Sequence, residues 1–496
     1  MLLLTPILLV PLSAALLCLL VPSRRVMAAL GVLAFATTLG LGIALLHEVL
    51  ARGVVREWSE FLSADALSAW MVLLISVVSL ATSLYAGRYF ERDMAAGVIT
   101  MGRVREFFVL TPLFGTGMFL VVLANNLGVM WAAVEGTALS SVLLVALYNR
   151  RNSLEAAWKY VILGSLGLAL ALLGTVFVYA AACKSHPDSL PSFNWSYLMS
   201  VARQLDPLQL KLAFVFVFVG YGTKAGFAPM HTWLPDAHSE APSPTSAMLS
   251  GVSLKIALYA LLRFHILTTA CLDGGPDAGF SGHLLLGFGL FSMLLAPSFI
   301  LVQRNLKRML AYSSLEHMGL ICTGIALNSP LTIFGALLHM GYHALTKPVL
   351  FFAAGNIHQT FHSLEFRVIG PGVGKVLPVT VVLMGLAALS AVGLPPFGLF
   401  FSELTIISGG LAAHQITVSV IILVALLASF CGILQQLTRI LLGARKPGNH
   451  PTDARRMDGV PAMALLLGSL LLFSVWLPAP LLELMHQAAA IIGGKP

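Results

Sequence analysis

Glu135, Lys224, Lys255, His339, His343, Lys347 and Glu403 all fall inside long apolar stretches of this sequence. A charge at the centre of a bilayer costs from about 2.5 to more than 10 kcal/mol, so such side chains face a polar interior and mark ion or proton paths. Desolvation brings a lysine's proton affinity into the range where protons exchange near neutral pH, and a nearby glutamate tunes it back. Alternating protonation then takes little energy to drive. His339, His343 and Lys347 are spaced by four, so a helix presents them as one polar stripe. Histidine, which titrates near neutrality, suits such a relay. A pair of histidines four apart is also a metal-binding spacing. Three or four converging ligands are needed, however, and neither cysteine nor carboxylate lies nearby in sequence, so no metal site is expected.

Lys159, His231, Glu316 and His317 are further candidates for proton uptake or relay, Lys159 within a span and the other three at the cytoplasmic ends of spans. Interfacial solvation accounts equally well for His238. His358 and His362 repeat the spacing of four in an expected loop, where solvated side chains are the simpler account. Any one of the buried ions could serve only to pair and hold helices together. A whole set, spread over both halves of the chain, weakens that reading.

The elements that position these residues follow from composition. Of 496 residues, 58% are hydrophobic and 10% charged, where an ordinary soluble protein carries about 25% charged residues. Apolar runs of roughly 20 residues, enough to cross about 30 Å of hydrocarbon, recur along the chain without the alternation of a β-barrel, so the expectation is an all-α polytopic membrane protein. About fourteen spans are expected, near 2–22, 26–46, 66–86, 107–124, 127–148, 155–182 and 208–229, then near 243–267, 282–303, 308–327, 331–354, 377–408, 414–438 and 460–482. The first run lacks a basic region before it and a cleavage site after it, so it reads as a span and not as a removed signal peptide.

Basic residues test this order, because cytoplasmic loops hold the excess of lysine and arginine. Loops after odd-numbered spans hold eighteen, including Arg24, Arg25, Arg88, Lys307, Arg445, Lys446, Arg455 and Arg456; the other side holds seven, among them Arg56, Arg263 and Lys495. Both termini are therefore expected on the outer, periplasmic side of a prokaryotic inner membrane. The net charge of +8 is thus a topology signal, and no nucleic-acid partner is implied; the partner is the lipid bilayer. Five cysteines without a CxxC spacing make an iron–sulfur cluster or nickel site in this chain unexpected.

Two spans carry proline breaks, the seventh around Lys224-Ala-Gly-Phe-Ala-Pro229 and the twelfth at Gly393-Leu-Pro-Pro-Phe-Gly398. Proline removes a backbone donor and clashes with the preceding turn, and the carbonyls it frees are tolerable only beside protein or water. The breaks stand five spans apart, as expected for two inverted five-helix repeats. The expected organisation is three N-terminal spans over 1–106, a first repeat of spans four to eight over 107–270, a second of spans nine to thirteen over 282–440, and a loop with the last span over 441–496.

From Lys224 through Pro229, His231 and Pro235 to Ala247, the sequence resembles the proton-translocating antiporter-like subunits of respiratory complex I and of Mrp-type sodium/proton antiporters. The likeness continues through Leu249–Tyr259, Lys307–Leu320 and His343–Asn356. Ser314-Leu-Glu316-His317-Met-Gly and Glu155-Ala-Ala-Trp-Lys159-Tyr are similar to the F-subunit branch of hydrogenase-4, found in formate-hydrogenlyase-type complexes. The resemblance implies that Glu135 is the fifth-span glutamate paired with the broken-helix Lys224. It further implies that Lys255 and Lys347 belong to a central chain, and that Glu403 holds a twelfth-span position that is lysine or glutamate among members. The longest complex I member runs on into a lateral helix, which this sequence, stopping at Pro496, is expected to lack; that suits a subunit stacked inside a membrane arm.

The function so implied is a non-redox, proton-translocating subunit of a redox-driven complex of the hydrogenase-4 type. Its partners would be other antiporter-like subunits, a complex I-like membrane anchor, and cytoplasm-facing subunits carrying nickel–iron and iron–sulfur centres, with no cofactor in this chain. The rivals are an Mrp-type cation/proton antiporter without a redox partner, a complex I membrane subunit, and a scaffold that conducts nothing.

Overall fold

Where no water can serve the backbone, each apolar run must close its own hydrogen bonds, and these runs do so as helices. The computed structural model describes residues 2–185, 191–371, 373–442 and 459–494. Helices α1 (Leu4–Leu20) and α2 (Arg24–Arg52) lead into a two-stranded hairpin, β1 (Val55–Glu57) antiparallel to β2 (Leu62–Ala64). Then come α3 (Ala66–Ala95), α4 (Met101–Leu123), α5 (Leu127–Val145), α6 (Arg151–Ser185), the short α7 (Trp195–Ser200) and α8 (Pro207–Ala225). After a break follow α9 (Trp233–Glu240), α10 (Ser243–Met248), a π turn over Leu249–Ser253 and α11 (Leu254–Leu272). The second half holds α12 (Phe280–Val302), α13 (Leu306–Ala326), α14 (Pro330–Phe361), the short α15 (Phe366–Ile369), α16 (Pro378–Ala391), α17 (Gly398–Ala412), α18 (Ile416–Leu442), α19 (Val460–Val475) and α20 (Ala479–Ile492).

The chain is an all-α membrane protein, and its helices follow the expected order. Among the described residues nine helices are long and apolar enough to cross a membrane, or ten if α19 and α20 count as one bent span. Fourteen is not reached by that measure, because α1, α16 and α17 are short and α13 and α14 are rich in polar residues. The last expected span, 460–482, ends at Val475, and α20 turns away from α19 by 80°. Helix α14 runs on to Phe361, so His358 lies in its final turn and not in a loop, and His362 caps it in the left-handed region at φ 53°. Arg445, Lys446, Arg455, Arg456 and Lys495 lie outside the described residues. Two cations counted with the loops are buried instead: Lys307, which donates to the Ala241 carbonyl at 2.8 Å, and Arg263.

Both proline breaks are present. Helix α8 stops before Gly226 at φ +80° and α16 before Gly393 at φ +67°, conformations that favour glycine, and a cis proline follows each, Pro229 and Pro396. The π turn ahead of Lys255 is a third irregularity, and no proline marks it. Close helix contact rests on small residues, as it does where lipid supplies no hydrophobic drive. Helices α6 and α8 touch at Gly174 and Gly220: a Cβ at Gly220 would lie 2.5 Å from the Gly167 carbonyl oxygen, and one at Gly174 2.6 Å from that of Ala213.

Buried Glu57 pins the chain start to the hairpin, accepting the N–H groups of Leu3, Leu4 and Thr5 at 2.5, 2.9 and 2.9 Å and the Thr5 hydroxyl at 2.7 Å. Burial alone would raise its pKa, but these donors hold the carboxyl below its ordinary range. A carboxyl with a depressed folded-state pKa contributes stability above its unfolded value and loses it as pH falls through the folded value. The N-terminal segment is therefore expected to stay protected from proteolysis through mildly acid pH and to open only below the usual carboxylate range, whereas Glu57→Gln opens it at neutral pH. Gly220→Ala should cost about 1–3 kcal/mol of stability through overpacking against backbone, read as a lower melting temperature of the purified protein in detergent.

Candidate functional site

The break after α8 creates the first cluster. Lys224, in the last turn of α8 and 2% exposed, donates to the Tyr160 hydroxyl at 2.5 Å and lies 4.9 Å from that ring's centroid. Tyr160 in turn meets the Ser141 hydroxyl at 2.9 Å and stacks on Trp233 at 4.2 Å. The Trp233 indole donates to the Thr223 carbonyl at 2.8 Å, which also accepts the Gly226 N–H at 3.2 Å where α8 ends. Glu135, half-buried on α5, attracts Lys224 electrostatically but makes no direct contact with it. The expected Glu135–Lys224 pair is thus a longer-range attraction, and the hydrogen-bond partner is a tyrosine.

A second cluster joins α11, α13, α14 and α17. Lys255 donates to the Ser250 carbonyl, freed by the π turn, at 3.0 Å, and lies 2.8 Å from His343 Nδ1. The His317 ring sits 4.9 Å from the His343 ring, and His317 Nδ1 meets His339 Nε2 at 2.9 Å. His339 Nδ1 meets the Ser402 hydroxyl at 2.9 Å, beside Glu403. The three histidines, Lys255 and Glu403 are all buried. Gly393 makes room for this carboxylate: a Cβ there would fall 2.1 Å from Glu403 Oε2. A proton can pass along the hydrogen-bonded pairs by tautomer exchange in each imidazole; between His343 and His317, whose Nε2 atoms make no hydrogen bond among the described residues, a ring must turn to carry it across.

The structure redraws several roles. Glu316 and His317 lie at the middle of α13, each 1% exposed, and not at a span's end. Lys347, expected within the stripe, turns aside from the two histidines and donates to the Leu310 carbonyl at 3.2 Å and to Ser313 Oγ at 2.8 Å. His317, from the neighbouring helix, fills the gap it leaves between His343 and His339. Lys159 is exposed, bound to Glu155 at 2.8 Å and Asp236 at 3.0 Å, so it stands outside the buried set. His231 is buried beside Phe299 and Tyr312. His238 is fully buried against Phe351, which removes the solvation account. Among the described residues no hydrogen bond joins the Lys224 cluster to the Lys255 cluster. Tyr160, Ser141, Ser313 and Ser402 take part without having been singled out, since serine and tyrosine in an apolar helix carry no charge to draw notice.

Ligand atoms of His317, His339 and Glu403 lie within 4.8 Å of one another, so the fold brings to the histidines a carboxylate that is remote in sequence. A metal at about 2.0–2.1 Å from each nitrogen would need both facing lone pairs directed at one point. The 2.9 Å contact between the two ring nitrogens is instead hydrogen-bond distance, which suits one proton shared between them. Lys255 and Lys347 also repel positive charge from His339. The arrangement suits a proton better than a divalent cation.

With this geometry in view, the chain can be set beside known proteins. The profile of the family described as NADH:quinone oxidoreductase/Mrp antiporter, transmembrane, matches residues 124–429. The sequence is 35% identical to a hydrogenase-4 component F homolog of Methylacidiphilum infernorum (isolate V4) over 433 residues, covering 87% of this chain and 89% of that one. It is 32% identical to NADH-quinone oxidoreductase subunit N of Desulforudis audaxviator (strain MP104C) over 410 residues, 80% and 77% of the two chains. In fold it is similar to a chain of the membrane-bound sulfane sulfur reductase, an archaeal respiratory membrane complex, with TM-score 0.86, 21% identity and coverage of 99% and 98%. A chain of the Mrp complex from Dietzia sp. DQ12-45-1b aligns with TM-score 0.83 and 22% identity, covering 98% and 96%.

The second cluster makes a direct prediction. His317→Ala, which cuts the line between His343 and His339, is expected to slow proton translocation by the intact complex by roughly a hundredfold, in keeping with the loss of a positioned acid–base group. His317→Gln should recover little of it. A variant of either kind that translocates at the native rate removes His317 from the path.

Proposed function

Because the chain belongs to the NADH:quinone oxidoreductase/Mrp antiporter family, we propose that it is the proton-translocating membrane subunit of a redox-driven energy-converting complex of the hydrogenase-4 type. The observation that carries this reading is the buried line Lys255–His343–His317–His339–Ser402–Glu403, built from four helices through a bilayer-sized domain. A scaffold has no use for a buried line of titratable groups, hydrogen-bonded from Lys255 to His343 and from His317 through His339 to Ser402, with the His343 and His317 rings in contact between them. Lys224, attracted by Glu135 and held by Tyr160, is the separate lysine whose change of partner starts or ends a transfer. Each charge moved against about 100 mV needs about 2.3 kcal/mol, within reach of a redox step shared among a few protons.

In this reading the redox chemistry lies outside the chain. Nickel–iron and iron–sulfur centres belong to cytoplasm-facing partner subunits, and further antiporter-like subunits and a membrane anchor complete the arm in a prokaryotic inner membrane, with both termini of this chain on the outer side. The names of the relatives, a hydrogenase-4 component homolog and a quinone oxidoreductase subunit, support a redox partner. An Mrp-type antiporter would use the same lysines without one, so the proteins that co-purify separate the two.

The test uses vesicles holding the intact complex, with proton uptake followed while the redox reaction runs. Lys224→Ala and Glu135→Ala are each expected to abolish most of the uptake while the partner's electron transfer continues. Native uptake with both replacements overturns the proposal.

A further inference from the structure

Arg263 and Asp65 form a buried ion pair that the relay described above does not use. The guanidinium grips the carboxylate with two parallel bonds, Nη1 to Oδ2 at 2.6 Å and Nη2 to Oδ1 at 2.8 Å, and both side chains are almost fully enclosed. Its remaining donors reach the Tyr259 hydroxyl at 3.0 and 2.8 Å and Ser68 Oγ at 3.0 Å. The Trp195 ring covers the guanidinium at 4.5 Å and donates its N–H to the Arg263 carbonyl at 3.1 Å. Such a pair is not a cheap way to hold α3 against α11, because desolvating two ions offsets much of their attraction and apolar packing would hold as well.

Its position supplies another use. Lys255, Tyr259 and Arg263 are spaced by four on α11, so they line one face, and Arg263 stands about 12 Å along the axis from Lys255. Beside the pair lies a cavity of about 70 Å³ lined by buried Asp65, Tyr259, Arg263 and Asn125 and by the more exposed Ser196 and Arg56. That volume holds roughly two waters at about 30 Å³ each. Arg56 is exposed, so the cavity's lining reaches from the protein surface to the ion pair. It opens at the end of the bundle that carries the chain start and the β1–β2 hairpin, opposite the arginine-rich loops.

We propose that the Arg263–Asp65 pair is the outer gate of the proton route, closing the Lys255 end of the relay against the cavity. The inference rests on the proton-translocating function proposed above. In the closed state the fixed guanidinium repels an approaching proton, and Asp65 has no free oxygen to receive one. When the pair parts, Asp65 takes a proton delivered through the Tyr259 and Ser68 hydroxyls; when it re-forms, the guanidinium favours the ionised carboxylate and the proton leaves on the cavity side.

The test compares a gate with a mere clamp in proteoliposomes holding the intact complex. Arg263→Gln removes the guanidinium and leaves the Asp65 carboxylate to take up and release a proton. A gate so opened raises passive proton leak several-fold and collapses the redox-driven gradient while electron transfer continues. The leak must vanish again in Arg263→Gln combined with Lys255→Ala, because it runs through the relay. Native leak and native gradient in Arg263→Gln overturn the gate, as does a leak that persists in the double variant. Should Arg263→Gln not assemble, Ser196→Cys takes its place: a bulky, membrane-impermeant thiol reagent added to the cavity's face is expected to stop pumping relative to the same variant untreated, and unchanged pumping after complete labelling overturns the gate. If Lys224→Ala stops pumping while neither gate test responds, the gate falls and the function stands; if Lys224→Ala and Glu135→Ala both pump normally, the function itself falls.

Discussion

A protonated lysine inside hydrocarbon must be given oxygen atoms, and an unbroken helix has none to spare. Every carbonyl of a regular α-helix is already bonded four residues on, so a span that carries a buried cation has to lose regularity near it or borrow from a neighbour. This chain does both. Lys255 takes the Ser250 carbonyl that the π turn leaves open, and Lys347 shares the Leu310 carbonyl with a serine hydroxyl. Lys224 sits in the last turn before the helix stops at Gly226. The irregularities are therefore conditions for keeping these charges, and they stand where the charges stand.

The same constraint explains the packing around them. Helices can approach closely enough to align His343, His317 and His339 only if their contacts elsewhere are made by residues without bulk. Gly289 and Gly319, where a Cβ would lie within 3.0 Å of the opposite backbone, bring α12 onto α13, the helix that carries His317. Gly335 and Gly409 let α14 lie against α17, so that His339 reaches Ser402. A hydrogen bond tolerates errors of a few tenths of an ångström, and small residues are the cheapest way to reach that precision without a hydrophobic drive.

Much of this was legible in the sequence, for reasons that can be named. Charges in apolar runs stand out, so Lys224, Lys255, Lys347 and Glu403 were visible, and Pro229 and Pro396 announced both breaks. What sequence spacing could not show was partnership across helices. The stripe His339–His343–Lys347 is present on α14, but the residue that completes the line, His317, comes from α13, and Lys347 turns the other way. Glu135 and Lys224 invite pairing by charge, yet Tyr160 takes the hydrogen bond, a contact set by how α6 meets α8. The π turn went unread because it needs neither proline nor positive φ. Arg263 was counted among loop cations because the expected span ends at 267, but α11 runs on to Leu272, which places Arg263 at its middle, where it pairs with Asp65, nearly two hundred residues earlier.

The gap between the Lys224 cluster and the Lys255 line bears on how such a protein couples distant events. No hydrogen bond spans it among the described residues, and none is required. Two unit charges about 10 Å apart in a medium of effective dielectric constant about 20 interact by roughly 1.7 kcal/mol. That is close to the roughly 2.3 kcal/mol needed to carry one charge across about 100 mV. A buried charge at such a distance biases a neighbour's protonation by nearly the full cost of a transfer, without a wire of donors between them; the charge that acts on Lys255 is that of Lys347. A chain built this way transmits a signal through its charges and a proton through its hydrogen bonds, and the two need not follow the same route. Under the proposed function, keeping them apart guards against a simple leak, since no continuous set of hydrogen bonds joins the two clusters among the described residues.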